Sequence, residues 1–312
     1  MQVKKSLIVA LIIVSGLIAY ARTTEKSGPD TSIKVGLDVV LVPVTVTDDH
    51  YRPVEGLRAD NFQIWEDKVE QHVEYFSRED TPASIGILLD ISGSMRGSFN
   101  ASRSAAIKFL KTSNTEDEYF LVEFSDSPKI AQTFTTDVNK LERSVALQGT
   151  DGYTAFLDAA YLGLENVRFG VQPRKALLMI TDGEDNHSRY TLNDVKSLLK
   201  ESDVQLYAVD MGYRAAKGHN PGRILLDELT ELSGGRVLPL KSTNDLDELC
   251  AQISRELKSQ YVLGFVSSNK NADGKWRKLR VKVNPPAGAP RMNVRAKAGY
   301  YAARLPFKGE TP

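Results

Sequence analysis

Residues 84–94 read Ser-Ile-Gly-Ile-Leu-Leu-Asp-Ile-Ser-Gly-Ser, a short apolar run that ends abruptly in a carboxylate and two hydroxyls. The run from Ser84 to Leu89 has the length of a buried β-strand, and an amphipathic helix pattern follows over Ala101 to Lys111. Short apolar strands and helices continue to alternate as far as residue 260. Such alternation specifies a mostly parallel sheet with helices on both faces. The sequence therefore predicts a doubly wound α/β fold over residues 83–260.

Strand patterns flank this α/β region on both sides. They alternate in polarity and are bounded by turn residues, and they cover Val39 to Thr47, Phe62 to Glu66, Val69 to Phe76, Tyr261 to Val266, Lys278 to Val283 and Met292 to Tyr300. Domains are often inserted into loops of other domains, because chain ends commonly lie close together. We therefore expect an N-terminal β segment, residues 35–80, and a C-terminal β segment, residues 261–303, to form one small β-sandwich with the α/β domain inserted.

The N-terminus has the pattern of an export signal. Two lysines precede an apolar run from Ser6 to Ala19, and Ala19-Tyr20-Ala21 is a small-x-small cleavage site. An uncleaved anchor is the alternative, but the run is shorter than the roughly 20 residues that cross a bilayer. We expect a signal peptide at residues 1–21, a disordered leader at 22–34, and an exported protein that is periplasmic or extracellular.

Composition excludes several classes of function. Lys plus Arg and Asp plus Glu number 40 each, so no overall charge attracts the chain to nucleic acid or to an anionic membrane. Cys250 is the only cysteine, which excludes an intrachain disulfide and a thiolate zinc cluster, and its helical surroundings predict a core residue. No G-x-S-x-G, P-loop or G-x-G-x-x-G motif supports a hydrolase or nucleotide-binding reading.

Polar side chains follow the apolar strands, where an open α/β sheet binds its ligands. The five candidate metal-ligating residues are Asp90, Ser92, Ser94, Thr154 and Asp182. Their loops are expected at one edge of the sheet, and Gly93 allows a sharp turn between the two serines. Hydroxyl and carboxylate oxygens are hard ligands suited to Mg²⁺, Mn²⁺ or Ca²⁺. A cation held mostly by neutral hydroxyls favours an added Asp or Glu carboxylate, although Asp90 to Ser94 alone could be a helix-capping turn.

In their order and spacing these positions resemble a known site. The D-x-S-x-S loop at Asp90, Ser92 and Ser94, with Thr154 and the T-D-G at Asp182, is similar to the metal-ion-dependent adhesion site of von Willebrand factor A and integrin inserted domains. The resemblance implies direct ligation by the two serines, direct or water-mediated ligation by Thr154, and mainly water-mediated contacts from both aspartates. The whole arrangement resembles the exported bacterial "VWFA-related" proteins of the Acidobacterial type.

The resemblance and the ligand chemistry together favour a binding module. The expected function is metal-dependent capture of a carboxylate on a protein partner, without catalysis. Two alternatives stay open: a metal-assisted hydrolase, for which Asp151 or Glu184 would be weak general bases, and an envelope scaffold stabilised by its metal.

Several other polar residues have simpler interpretations. We interpret Asp151, Glu184, Asp185 and Asn186 as solvated loop residues at the rim of the site, and His187 as an exposed loop histidine. The basic stretch from Lys275 to Lys282 could face nucleic acid, but a half-buried edge strand with solvated charges explains it as well and is preferred.

Overall fold

The computed structural model describes residues 39–78, 81–146, 149–212, 221–286 and 288–304. The predicted signal peptide and leader, residues 1–34, lie outside the described residues. Among the described residues, no helix combines the length and the apolar character needed to cross a membrane.

The described chain contains fourteen strands and six α-helices. The strands are β1 Val39–Thr47, β2 Phe62–Glu66, β3 Val69–Gln71, β4 Tyr75–Arg78, β5 Ala83–Asp90, β6 Glu118–Phe124, β7 Pro128–Thr135, β8 Arg174–Thr181, β9 Val204–Asp210, β10 Arg236–Pro239, β11 Tyr261–Val266, β12 Trp276–Val283, β13 Asn293–Ala296 and β14 Gly299–Tyr301. The helices are α1 Phe99–Thr112, α2 Val138–Ala146, α3 Phe156–Val167, α4 Leu192–Lys200, α5 Pro221–Ser233 and α6 Leu246–Lys258.

The central sheet has six strands in the order β10-β9-β8-β5-β6-β7. All neighbouring pairs are parallel except β6 and β7, which form an antiparallel hairpin. Helices α1, α2 and α6 cover one face, and α3, α4 and α5 cover the other. Because helices enclose both faces, every residue of β5 is buried, which explains its continuous apolar run. The predicted doubly wound, mostly parallel α/β fold is confirmed.

The flanking strands form two four-stranded antiparallel sheets. Their orders are β13-β1-β11-β4 and β14-β12-β2-β3, so each sheet mixes strands from both ends of the chain. Val42, Val44, Ile64, Leu263 and Phe265 are buried in the core that they share. The α/β part leaves the sandwich through β4 and returns through β11, and these two strands pair with each other. The predicted sandwich of N- and C-terminal strands is confirmed.

Two strand predictions were wrong because the chain changes sheets. Val69 to Phe76 was predicted as one strand, but β3 pairs with β2 whereas β4 pairs with β11 in the other sheet. Met292 to Tyr300 divides in the same way, since β13 pairs with β1 and β14 pairs with β12. The alternation of polar and apolar residues does not reveal where the chain passes from one sheet to the other, because the pattern continues on both sides of that point.

Three further features differ from the expectations. Helix α2 and strand β10 were not predicted; β10 has only four residues, too few to show a periodic pattern. Strand β12, predicted to be an edge strand, lies between β14 and β2 in the interior of its sheet.

Cys250 occupies the place expected of it. It is buried between α1 and α6, with its Sγ 3.3 Å from the carbonyl oxygen of Ala105. Burial raises the pKa of the thiol to about 12, so it is an unreactive core group.

Candidate metal centre

The candidate site lies where the strand order of the central sheet reverses. From β5 the chain proceeds outward to β6 and β7, and then returns to β8 on the other side of β5. Asp90 is the last residue of β5, and Asp182 follows the last residue of β8. Ligands of open α/β sheets bind at this switch point, beyond the carboxyl ends of the strands.

The ends of the two central strands are joined by side chains. The Thr181 hydroxyl donates to Oδ2 of Asp90 over 2.6 Å, and Thr181 Oγ1 in turn accepts the backbone N–H of Gly183 over 3.0 Å. Asp90 and Thr181 are both fully buried. The two loops that carry the predicted aspartates are therefore fixed to each other.

The loop after β5 brings two hydroxyls together. Oδ1 of Asp90 accepts the backbone N–H of Ser92 over 2.9 Å, which turns the chain back at once. The Oγ atoms of Ser92 and Ser94 then lie 3.1 Å apart, with Ser92 buried and Ser94 exposed. Adjacent oxygens around octahedral Mg²⁺ are about 3 Å apart, because each lies about 2.0–2.1 Å from the metal. The two hydroxyls form a hydrogen bond with each other, and their spacing is also compatible with a shared cation.

The loop that carries Thr154 packs directly against the serine loop. The N–H of Gly93 donates to the carbonyl of Gly152, and the N–H of Asp151 donates to the carbonyl of Ile91, each over 3.0 Å. A Cβ at Gly93 would lie only 3.1 Å from the Gly152 oxygen, so the absence of a side chain permits this approach. Thr154 follows these contacts and is buried.

Thr154 is held by residues at the rim of the site that are exposed, as expected, but that also make hydrogen bonds the sequence did not predict. Oδ1 of Asn186 accepts the N–H of Thr154 over 2.9 Å, and the Thr154 carbonyl accepts the N–H groups of Asn186 and His187. Asp185 caps the next helix, since its Oδ1 accepts the N–H of Phe156 over 3.0 Å. The loop after β8 therefore positions the loop of Thr154.

Two carboxylates at this edge were missed from the sequence. Asp210 ends β9 beside Thr181, is buried, and lies 3.3 Å from the Arg223 guanidinium. Asp126 follows β6, and its Oδ1 accepts the N–H of Tyr153 over 2.6 Å. Both come at or just after the end of an apolar strand, so the rule that selected Asp90 and Asp182 would also have selected them.

Burial dominates the electrostatics of Asp90. It raises the pKa of this carboxyl to about 6, and the nearby negative charge of Asp182 adds to the rise, while hydrogen bonds from Ser92 and Thr181 oppose it. Among the described residues, no ion pair connects Asp90 or Asp182 to a basic side chain. Two arginines in this region pair with other acids: Arg223 pairs with Asp210, and Arg96 lies 3.9 Å from Asp151.

The histidines contribute no ligand set. In the described part of the chain, no three His, Cys, Asp or Glu side chains converge into a metal-binding group. His187 is exposed, as expected, and its ring stacks on that of Tyr153 with centroids 5.1 Å apart. A metal at this edge would therefore depend on hydroxyl oxygens, and the ligand role of the five candidate residues stays a prediction.

Fold and site together define a class: a doubly wound α/β domain with hydroxyls and carboxylates clustered at its switch point. Residues 85–184 match the family model described as von Willebrand factor type A domain. This part of the chain, about a third of its length, is therefore similar to von Willebrand factor type A domains.

Comparison with solved structures finds distant neighbours. An aerotolerance-related membrane protein from Bacteroides fragilis is 16% identical with a TM-score of 0.46, over 56% of this chain and 98% of that one. BatB, a conserved hypothetical protein from Bacteroides thetaiotaomicron, is 17% identical with a TM-score of 0.44, over 57% and 100%. A von Willebrand factor type A protein from Catenulispora acidiphila is 11% identical with a TM-score of 0.48, over 86% and 74%. Among curated proteins, none matches this chain significantly.

Proposed function

We propose that this protein is an exported binding module that captures a carboxylate of a protein partner through one divalent cation. The ligands would be Ser92, Ser94 and Thr154, with Asp90 and Asp182 bracing the site. The observation that carries the proposal is the pair of serine hydroxyls 3.1 Å apart, immediately after a buried aspartate at the switch point of the sheet.

The donor set fits a hard cation. Hydroxyl and carboxylate oxygens suit Mg²⁺, with Mn²⁺ or Ca²⁺ as substitutes, and they suit softer metals poorly. Burial raises the pKa of Asp90, the charge of Asp182 adds to the rise, and neither aspartate forms an ion pair within the described residues. A bound cation would supply the missing positive charge, which supports a metal at this position.

The chemistry of the site indicates the class of partner. Three neutral hydroxyls would leave the cation electron-poor, so an anionic group is its preferred further ligand. Ser94 is exposed, so this side of the site is open to another protein. An Asp or Glu side chain presented by that protein is the simplest group that meets both conditions. We propose binding without turnover, in the periplasm or outside the cell as residues 1–21 indicate.

A capture experiment with a conservative variant tests this function. Mature protein would be incubated with native envelope and secretome fractions in Mg²⁺, in EDTA, and as Ser94→Ala in Mg²⁺. Ser98→Ala is the matched control, because Ser98 is a nearby serine whose hydroxyl bonds the Met95 carbonyl and lies outside the proposed ligand set.

We expect wild type and Ser98→Ala to retain the same partner in Mg²⁺, and to lose it in EDTA. Ser94→Ala should lose it even in Mg²⁺. A partner that stays bound under all five conditions would show that the contact surface lies elsewhere.

A further inference from the structure

A second surface with its own chemistry lies on the sandwich, on the outward side of the sheet β14-β12-β2-β3. Alternate residues of β12 point inward, where Arg277 is buried against Glu66 at 3.1 Å. The residues between them, Lys278, Arg280 and Lys282, are exposed. We call this side of the sheet the outer sheet face.

Both tryptophans of the chain also belong to the outer sheet face. Trp65 of β2 is the cross-strand partner of Arg280, and its ring lies 5.1 Å from the Lys282 ammonium. Trp276 begins β12 and shares the parity of the exposed basic residues. Each indole is half-buried, so one side of each tryptophan meets solvent.

The indole of Trp276 packs against residues of β14 and α4. Its ring lies over Gly299 of β14, where an added Cβ would be 2.5 Å from Cζ2 of the indole. The ring of Tyr301 meets it edge-on with centroids 5.2 Å apart, and the Lys200 ammonium lies 5.3 Å from it. The glycine keeps the indole against the sheet, beside the row of cations.

Protection of a sheet edge explains these charges only in part. Lysines commonly protect exposed edges, and Arg280 and Lys282 lie where β12 pairs with β2 alone, but Lys278 pairs with Gly299 of β14. Glu70 is the acid paired opposite Trp65, and it accepts a hydrogen bond from Gln63 over 3.1 Å. The three exposed cations of β12 therefore outnumber this acid, although the whole chain has no net charge.

We infer that the outer sheet face binds an acidic polysaccharide laid along β12. Alternate residues of a strand are about 6.8 Å apart, so Lys278, Arg280 and Lys282 form a row of cations at that spacing. By the same strand geometry the two indoles lie about 14 Å apart: Trp276 precedes the row on β12, and Trp65 lies beside its middle residue, Arg280. Carboxylated or sulfated sugars offer the matching groups: spaced anionic charges for the cations, and apolar ring faces for the tryptophans.

The sparse charge argues against duplex nucleic acid as the ligand. Each strand of duplex DNA carries one phosphate per about 3.4 Å of helix axis, and its binding depends on many simultaneous phosphate contacts. The outer sheet face offers a single row of cations at about twice that spacing, on a chain without net positive charge. A polymer with one charge every one or two sugar rings is the better match.

Binding to the outer sheet face can be measured by tryptophan fluorescence. Because the chain contains no others, tryptophan emission of the full chain reports on the outer sheet face alone. Emission would be titrated with polygalacturonate in EDTA, so that a metal-dependent site makes no contribution. Dextran serves as the neutral polymer, and single-stranded DNA and polyglutamate serve as anionic polymers of other classes.

Two triple variants with an equal change in charge show whether the polysaccharide binds at the outer sheet face. The first is Lys278→Gln with Arg280→Gln and Lys282→Gln, and the control is Lys111→Gln with Lys140→Gln and Lys241→Gln, all exposed positions away from the outer sheet face. We expect saturable binding of polygalacturonate, no response to dextran, and affinity that is weakened more than about tenfold only by the first triple variant.

Any of three results would overturn the inference. These are the absence of a saturable response to polygalacturonate, equal affinities of the two triple variants, and tighter binding of DNA or polyglutamate. Because the titration is performed in EDTA, it does not involve the metal centre. The proposal of polysaccharide binding and the proposal of a metal centre are therefore tested separately.

Discussion

At the scale of single residues, Asp90 connects two loops of the candidate site. Its two carboxylate oxygens serve two loops, one through the Ser92 N–H and the other through the Thr181 hydroxyl. The position of the aspartate after an apolar strand could be read from the sequence. Its hydroxyl partner Thr181 could not be assigned, because that contact depends on which strands are neighbours.

Asn186 is a positioning residue that only the structure identifies. Asn186→Ala removes the acceptor for the N–H of Thr154, so this loop should loosen. If Thr154 is a ligand, Mg²⁺ affinity should fall by about 10–100-fold, as it does when groups supporting metal ligands are removed. Calorimetric titration measures this, with the exposed Asn139→Ala as control. Equal Mg²⁺ affinity of the two variants would contradict the role of Thr154.

Asp158 stabilises the α3 end of the same region in a pH-dependent way. Burial alone would raise its pKa, but hydrogen bonds from the backbone of Tyr190 and from the side chain and backbone of Arg189 outweigh it and lower the pKa below 3.8. The folded state therefore favours the ionised form. This stability is present above the unfolded pKa and is lost as pH falls through the lower folded value.

Asp158→Asn should accordingly reduce the free energy of unfolding by about 2–3 kcal/mol at neutral pH. The difference from wild type should shrink as the solution is acidified below 3.8, since the wild-type carboxyl is then protonated as well. Urea unfolding at a series of pH values measures it. A difference that does not change with pH would show that the charge of Asp158 is not what stabilises the fold.

At the scale of elements, the sequence predicts best where an element has one environment along its length. Helices α3 and α4 and strand β11 match their predicted ranges, because each packs in one way from its first residue to its last. The prediction failed for two segments, the one that contains β3 and β4 and the one that contains β13 and β14. Each was predicted as a single strand, but each changes sheets midway. Whether β12 is an edge or an interior strand depends on long-range pairing, which a local pattern does not contain.

The turn after β8 gives an element-scale prediction. Gly183 has φ +79°, and an added Cβ would lie 2.6 Å from the carbonyl oxygen of Gly222 at the start of α5. Gly183→Ala should therefore lower the free energy of unfolding by about 1–3 kcal/mol. Gly97→Ala, where nothing lies within 4 Å of the new atom, should change it by less than about 0.5 kcal/mol. Thermal or urea unfolding of both variants measures the contrast, and similar stability for the two would contradict this explanation of the turn.

At the scale of the molecule, buried charges connect the α/β part to the sandwich. Glu256 of α6 is fully buried and pairs with Arg236 of β10 at 2.8 Å and with Arg295 of β13 at 2.6 Å. The Ala298 N–H also donates to the Leu232 carbonyl of α5. These contacts join the two parts beyond the strands that link them in sequence, and no local pattern predicts them.

Arg295→Ala tests this connection. Removing one partner of a buried pair costs about 3–5 kcal/mol, and the remaining Arg236 should limit the loss to about 2–3 kcal/mol. Arg168→Ala, which removes an exposed pair with Glu165, should cost less than about 1 kcal/mol. The free energy of unfolding in urea is the readout. An equally small loss in both variants would mean that the pairing with Arg295 adds little to stability.

The candidate site as a whole was partly predictable. Loops after apolar strands indicated Asp90, Ser92, Ser94 and Asp182, since parallel strands end at one edge. The supporting residues Asp126 and Asp210 obey the same rule but lie outside the known motif, so a search guided by the motif passes over them. Asp185 and Asn186 act through backbone contacts, which depend on how two loops pack.

The most direct test of the account is calorimetric titration of Mg²⁺ into the full chain after removal of metal. It would be performed on wild type, on Ser92→Ala with Ser94→Ala, and on Ser98→Ala. The account predicts a single bound ion in wild type and in Ser98→Ala, with affinity at least about tenfold weaker in the double variant. Absence of Mg²⁺ binding in wild type, or equal affinity in all three proteins, would contradict the proposed metal centre.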